Sequence, residues 1–289
     1  MQILITGAYG QLGCEFNRLK QKYSEWEFLF TDVDSLDLTD QEAVRQFFAA
    51  NSIDFVVNCA AYTAVDKAES DVEAAERANA DAPKNLAIHA QTHGSKLIHV
   101  STDYVFAGNA CTPYSEDDEV SPQGVYGETK LKGERNVIQE NPDSIIIRTS
   151  WLYSSFGHNF LKTMLRLGKE KEEISVVFDQ VGTPTYAADL AKAILDIIQY
   201  TQEDTTNFVS GLYHFSNEGV ASWFDFAKAI FVIQKMDCRI NPVLSDKFPT
   251  PAKRPAYSVL NKSKIKDTFR LEIPYWRDSL KICLQELEK

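Results

Sequence analysis

The chain is poor in cysteine: Cys14, Cys59, Cys111, Cys238 and Cys283 stand far apart. That spacing excludes a CxxC metal or redox motif. An odd number of cysteines in a chain of 289 residues points to reduced thiols rather than a disulfide framework. No apolar run is long enough to cross a bilayer, and no basic leader precedes the first strand-like segment, so a cytoplasmic protein is expected. Positive charge is the minority sign: 30 Lys and Arg against 41 Asp and Glu leave a net charge of −11. A general nucleic-acid binder needs a basic surface, which sets that class aside, while a local field can still receive an anionic small molecule. Repeats, low-complexity tracts and flexible linkers are missing as well. What remains is ordinary globular composition, 44% hydrophobic and 25% charged, enough for one large domain or two modest ones.

The first half alternates short apolar runs with amphipathic stretches. Strands are expected at 2–6, 27–31, 54–58, 96–100 and 144–148, with helices such as 41–51 and 71–93 between them. Continuous apolar strands separated by helices predict an α/β fold, a doubly wound parallel sheet covered on both faces. After Ser150 the rhythm changes. Helical patterns appear at 159–169, 187–200, 223–233 and 276–286, with short strands near 174–178 and 212–215 and a Pro-rich loop at 248–255. Residues 1–150 therefore read as a Rossmann-type dinucleotide-binding domain, completed by 185–210. Residues 151–289 read as mainly a smaller α/β substrate-binding lobe.

Directly after the first strand comes Gly7-Ala8-Tyr9-Gly10-Gln11-Leu12-Gly13. Between a strand and a helix, glycines at this spacing permit a tight turn and close approach of a pyrophosphate to the helix N-terminus. The second strand ends at Asp32, where a carboxylate suits ribose hydroxyls and disfavours a 2′-phosphate. That favours NADH, with NADPH possible. Asp37 and Leu38 could flank the adenine, although a turn before a helix explains Asp37 equally well. Ala60, Ala61, Tyr62 and Thr63 follow the third strand, and their small residues would let a cofactor pass close. Packing would favour alanines there too.

Tyr126 and Lys130 lie four residues apart in a helical stretch and so share a face. A phenol with an unperturbed pKa of ~10 becomes a better acid beside an ammonium group. Thr102, at the end of the fourth strand, could add a hydroxyl aimed at a substrate carbonyl. Among other polar residues, His99 fits a packed core position. The acidic run Glu116-Asp117-Asp118-Glu119 fits a solvated loop better than a metal site.

The Gly loop with Thr102, Tyr126 and Lys130 resembles the extended short-chain dehydrogenases and reductases. The strings STDYVFAG, VYGETKLKGE, RTSWLY, FLKTMLRL, DQVGTPT and KRPAYSVLN resemble the dTDP-4-dehydrorhamnose reductase family over nearly the whole chain. The resemblance implies reduction of the 4-keto group of dTDP-4-dehydro-L-rhamnose with NADH or NADPH. It implies Tyr126 as proton donor, with Lys130 lowering its pKa and holding the nicotinamide ribose. Thr102 and Asp103 would lie beside the substrate and tune the tyrosine, and Trp151 would contact the sugar nucleotide. Gly10, Gln11 and Leu12 would hold the pyrophosphate, Asp32, Asp37 and Leu38 the adenosine end, and Ala61, Tyr62 and Thr63 the nicotinamide side. Tyr104 and Arg254 are further substrate candidates, since a diphosphate suits a planar guanidinium. Bland roles compete: Trp151 as core, Asp103 as a turn cap, Arg254 as an exposed loop residue.

Two rival functions stay open. A sugar-nucleotide dehydratase would carry Asp-Glu after the threonine, which Thr102-Asp103-Tyr104 lacks; an epimerase, or a non-catalytic regulatory subunit of this fold, also remains. Some relatives pair through Mg²⁺ held by glutamates of two subunits. Glu15 stands at a matching place, but Ala187-Ala188-Asp189 lacks the second glutamate, which puts that ion in doubt and leaves monomer or homodimer open.

Overall fold

The computed structural model describes residues 1–288. In chain order the first half contains β1 (Gln2–Thr6), α1 (Gln11–Leu19), β2 (Glu27–Thr31), α2 (Gln41–Ala50), β3 (Phe55–Asn58), α3 (Val65–Ala68), α4 (Val72–Glu76), α5 (Ala82–His93), β4 (Lys96–Thr102), α6 (Val125–Glu140) and β5 (Ile145–Thr149). Then come β6 (Leu152–Tyr153), α7 (Phe160–Glu170), β7 (Glu173–Val177), β8 (Val181–Gly182), β9 (Thr185–Tyr186), α8 (Ala187–Glu203), β10 (Gly211–His214), β11 (Ala221–Ser222), α9 (Trp223–Ile233), β12 (Arg239–Val243), α10 (Ser263–Phe269) and α11 (Trp276–Leu287).

Six parallel strands form the central sheet in the order β10-β5-β4-β3-β1-β2. Successive side chains of a strand point to opposite faces, and both faces here are buried. Ile3 and Ile5, with Val57, Ile98 and Ile147, pack under α1 and α8, while Leu4, Val56, Leu97 and Ile146 pack under α2 and α5. This is why the strands read as unbroken apolar runs. The order reverses between β1 and β3, and the crevice outside the carboxyl ends of those strands is where such sheets bind ligands.

Two expectations change. The helix expected over 71–93 is interrupted: α4 passes through a π turn at Arg77–Asp81 before α5 begins. Pro83 has no N–H to give the carbonyl of Asn79 four residues back, which favours the wider turn. The strand expected near 212–215 in the smaller lobe is instead β10, the edge of the main sheet, with Leu212 opposite Ile146 and Tyr213 opposite Ile147. Alternating hydrophobicity marks a strand but does not say which neighbour it pairs with.

A second core gathers Tyr153, Tyr186, Phe226, Ile230 and Trp276 from the short strands, α9 and α11. Among the described residues no helix is long and apolar enough to cross a membrane.

Candidate active site

The Gly loop turns through Gly7, whose φ of +64° is left-handed. A Cβ on Gly7 would stand 2.8 Å from the Ala60 backbone, so β1 and the segment after β3 meet in contact. Gly10 caps α1 with extended backbone and no side-chain hydrogen bond. The first N–H groups of the helix, at Gln11, Leu12 and Gly13, thus have neither an intrahelical acceptor nor a side-chain cap. This fits a diphosphate. Gln11 reaches sideways, its Oε1 accepting from Asn159 Nδ2 at 2.9 Å, while Leu12 and Gly13 are buried.

Asp32 closes this loop. Its Oδ2 accepts from Tyr9 N and its Oδ1 from Val33 N, each at 2.9 Å. Asp37 is taken up by a turn, its Oδ1 accepting from both the N–H and the hydroxyl of Thr39 at 2.8 Å, which holds its carboxyl below the usual range. Leu38 lies in the core under the sheet. On the other side of the crevice, Ala60 N donates to Asn58 Oδ1, Tyr62 N donates to Asn79 Oδ1 at 2.9 Å, and Ala61 and Thr63 complete the turn into α3.

Tyr126 and Lys130 sit on α6, as the spacing predicts. Burial pushes the Tyr126 phenol up, the neighbouring Thr102 hydroxyl opposes the rise, and the charges of Asp103 and Tyr104 add to it. The Lys130 ammonium donates to the carbonyl of Val100 at 2.7 Å, and burial lowers its pKa to about 8 against the support of Glu134. Asp103 is buried at 4% exposure, and desolvation lifts its pKa to about 6. Its Oδ1 accepts from Thr102 Oγ1 at 3.1 Å, while Oδ2 and the nearby Ser258 hydroxyl are both buried without a completed hydrogen bond.

The substrate candidates form two walls. Tyr104 meets Tyr126 edge to face, and Arg254 donates to the Tyr104 hydroxyl at 3.0 Å while pairing with Asp66 at 2.5 Å. Trp151 is a non-glycine residue with φ +49°. Its indole stacks on Trp223 at 3.6 Å and covers Gly182, where a Cβ would stand 2.7 Å from the ring. It is partly buried.

Residues outside the expected set complete the site. Asn79 ties Tyr62 to Thr129 of α6. Asp66, Trp223, Ser258 and Glu134 were not singled out, and only Glu134 carried a signal, being one more four-residue step along the face of Tyr126 and Lys130. His99 is a core residue, held by Asn58 and kept neutral by burial. Glu116 and Asp118 cap backbone N–H groups of His214 and Ser115. Glu15 is fully buried, paired with Arg18 at 2.7 Å and accepting from Ser154 at 2.6 Å. No group of three metal-ligating side chains occurs among the described residues.

Known proteins resemble this chain along its whole length. The family described as the RmlD substrate binding domain matches residues 1–289. A dTDP-4-dehydrorhamnose reductase of Aggregatibacter actinomycetemcomitans is 40% identical over 287 residues, covering 97% of each chain. A solved dTDP-4-dehydrorhamnose reductase of Clostridium acetobutylicum is 44% identical, spans all of both chains and superposes with a TM-score of 0.94. That of Bacillus anthracis, solved in complex with NADP, is 39% identical over 99% of each chain, with a TM-score of 0.93.

Proposed function

The chain belongs to the RmlD substrate-binding-domain family, and from that membership we propose that it reduces the 4-keto group of dTDP-4-dehydro-L-rhamnose to give dTDP-L-rhamnose. The observation that carries this reading is the meeting of Thr102, Tyr126 and Lys130 at the carboxyl edge of the sheet, beside a helix N-terminus built for a diphosphate. NADH or NADPH supplies the hydride. Gly7, Gly10, Gln11, Leu12 and Gly13 would hold its pyrophosphate, with Asp32 shaping the adenosine end and Lys130 the nicotinamide ribose.

Tyr126 gives its proton to the oxygen that becomes the C4 hydroxyl. Burial keeps the Tyr126 phenol protonated at neutral pH, so the proton is in place. An acid is most efficient with a pKa nearer the working pH, and drawing the phenol's pKa down is the part this reading gives to the Lys130 charge. Thr102 stabilises the oxygen charge as the proton leaves. Arg254 and Tyr104 would hold the diphosphate side of the sugar nucleotide, and Trp151 its apolar face. In this reading residues 1–150, completed by 185–210 and β10, serve the coenzyme, and most of 151–289 serves the substrate. The enzyme works in the cytoplasm as a monomer or homodimer, with no nucleic-acid partner.

The test is coenzyme oxidation with the keto sugar, the product identified by NMR. Reduction at C4 is expected. Tyr126→Phe is expected to lose about 10²- to 10⁴-fold in kcat while binding coenzyme within a few-fold of the parent. An epimerised product with no net coenzyme change, or full activity in Tyr126→Phe, overturns the reading.

A further inference from the structure

Tyr126, Lys130 and Glu134 follow one another at four-residue steps and form one line along the inner face of α6. Three consecutive residues of β4 face that line. The Val100 carbonyl accepts from Lys130 Nζ at 2.7 Å, Ser101 Oγ donates to Glu134 Oε1 at 2.5 Å, and Thr102 lies beside Tyr126. Glu134 is also gripped from β5: Arg148 Nε donates to Oε1 at 2.9 Å and Nη2 to Oε2 at 2.7 Å. Both side chains are almost wholly buried, at 3% and 4% exposure, and the guanidinium lies 4.9 Å from the Phe106 ring centre.

We propose that Glu134 is a positioning residue: clamped by Arg148 and Ser101, its carboxylate fixes the register of α6 on the end of β4 and provides the counter-charge that keeps Lys130 an ammonium group. This rests on the reading of Tyr126 and Lys130 as the working pair. A buried ion pair adds little net stability over well-packed apolar residues, so stability is a weak reason for its presence; fixing a register is the better-supported use of such a pair. The other titratable groups around Lys130 cannot replace Glu134. Cys59, near the end of β3, is held as a neutral thiol by burial, His99 on β4 is kept neutral, and Tyr126 keeps its proton. Arg148 is a second cation. Glu134, one helical turn from Lys130, is thus first among the groups that support its charge, ahead of Cys59, and the Val100 carbonyl accepts its hydrogen bond.

The experiment follows the titration of Lys130 by NMR in ¹³C-lysine-labelled protein, assigned with Lys130→Met, in the parent, in Glu134→Gln and in Glu134→Gln/Arg148→Gln. Loss of the anion lets a buried ammonium give up its proton at lower pH. The midpoint, about 8 in the parent, is expected to fall by about one pH unit in the single variant and by less in the double. The alkaline limb of kcat is expected to move with it. A folded variant whose Lys130 titration is unchanged overturns the proposal. Where the single variant fails to fold, the double, which removes the stranded Arg148 charge, decides. The titration needs no sugar nucleotide, so a parent protein inactive on the keto sugar would sink the proposed reaction without touching this result.

Discussion

Tyr104 meets Tyr126 edge to face, with ring centres 5.4 Å apart and planes at 78°. The contact packs Tyr104 against the phenol ring, and Arg254 holds Tyr104 in turn through its hydroxyl. The Arg254–Asp66 pair is partly exposed, with the Asp66 side chain 41% accessible, so it contributes no more than ~1 kcal/mol to stability. Arg254→Ala is therefore expected to unfold within about 1 kcal/mol of the parent, while KM for the sugar nucleotide rises by about tenfold or more. Arg254→Lys keeps the charge but loses the fork that spans Tyr104 and Asp66, and should recover only part of the loss. Steady-state kinetics with chemical denaturation separates the two effects; a large stability loss with unchanged KM would make Arg254 structural.

Asp103 carries a pH signature. Its folded pKa, about 6, lies above the ordinary 3.8 because burial disfavours the charged form. Between those values the folded state holds more protons than the unfolded chain, so the group's contribution to stability falls as pH rises from about 4 to about 6 and stays lost above that. Asp103→Asn removes the penalty. The variant is expected to gain up to ~3 kcal/mol at pH 7.5 and roughly half of that at pH 5, while losing activity. Denaturant titration at the two pH values checks it; an equal gain at both would contradict the assigned ionisation.

Two glycines of similar appearance should behave differently. A Cβ on Gly13 would overlap the carbonyl of Gly7 and the backbone of Ala8, so Gly13→Ala must push the phosphate loop apart. It is expected to weaken coenzyme binding by about tenfold or more and to lower stability by at least ~1 kcal/mol. Gly94 ends α5 in the left-handed conformation with nothing within 4 Å of its would-be Cβ. Gly94→Ala should cost ~1 kcal/mol from backbone strain alone and leave coenzyme affinity as it was. Calorimetric binding and thermal unfolding of both variants make the comparison.

Much of this arrangement was legible because its signals are local. The five apolar runs became β1 to β5, the Gly loop fell between a strand and a helix, and the four-residue spacing put Tyr126 and Lys130 on one helix. What could not be read depends on partners distant in the chain. Nothing near Leu212 names β5 as its neighbour, and nothing near Trp151 announces that Trp223 lies under its ring. The break at Arg77–Asp81 depends on Pro83, which also fits the first turn of a helix, so the wide turn was hidden in an ordinary pattern. Sequence spacing gives the distance between two side chains but not the carbonyl of Val100, which draws the lysine amine to itself.

The Tyr104–Arg254 bond spans 150 positions of the chain. The ribosome therefore delivers the phosphate loop, Thr102, Tyr126 and Lys130 long before the arginine that braces Tyr104. At about 5–20 residues per second the interval is on the order of ten seconds. Throughout it a growing chain holds every side chain proposed for the coenzyme and the proton, together with Tyr104, but not the guanidinium proposed for the sugar nucleotide's diphosphate. Translation thus imposes an order on the crevice: the sheet is completed only with β10, and the guanidinium that braces Tyr104 follows it.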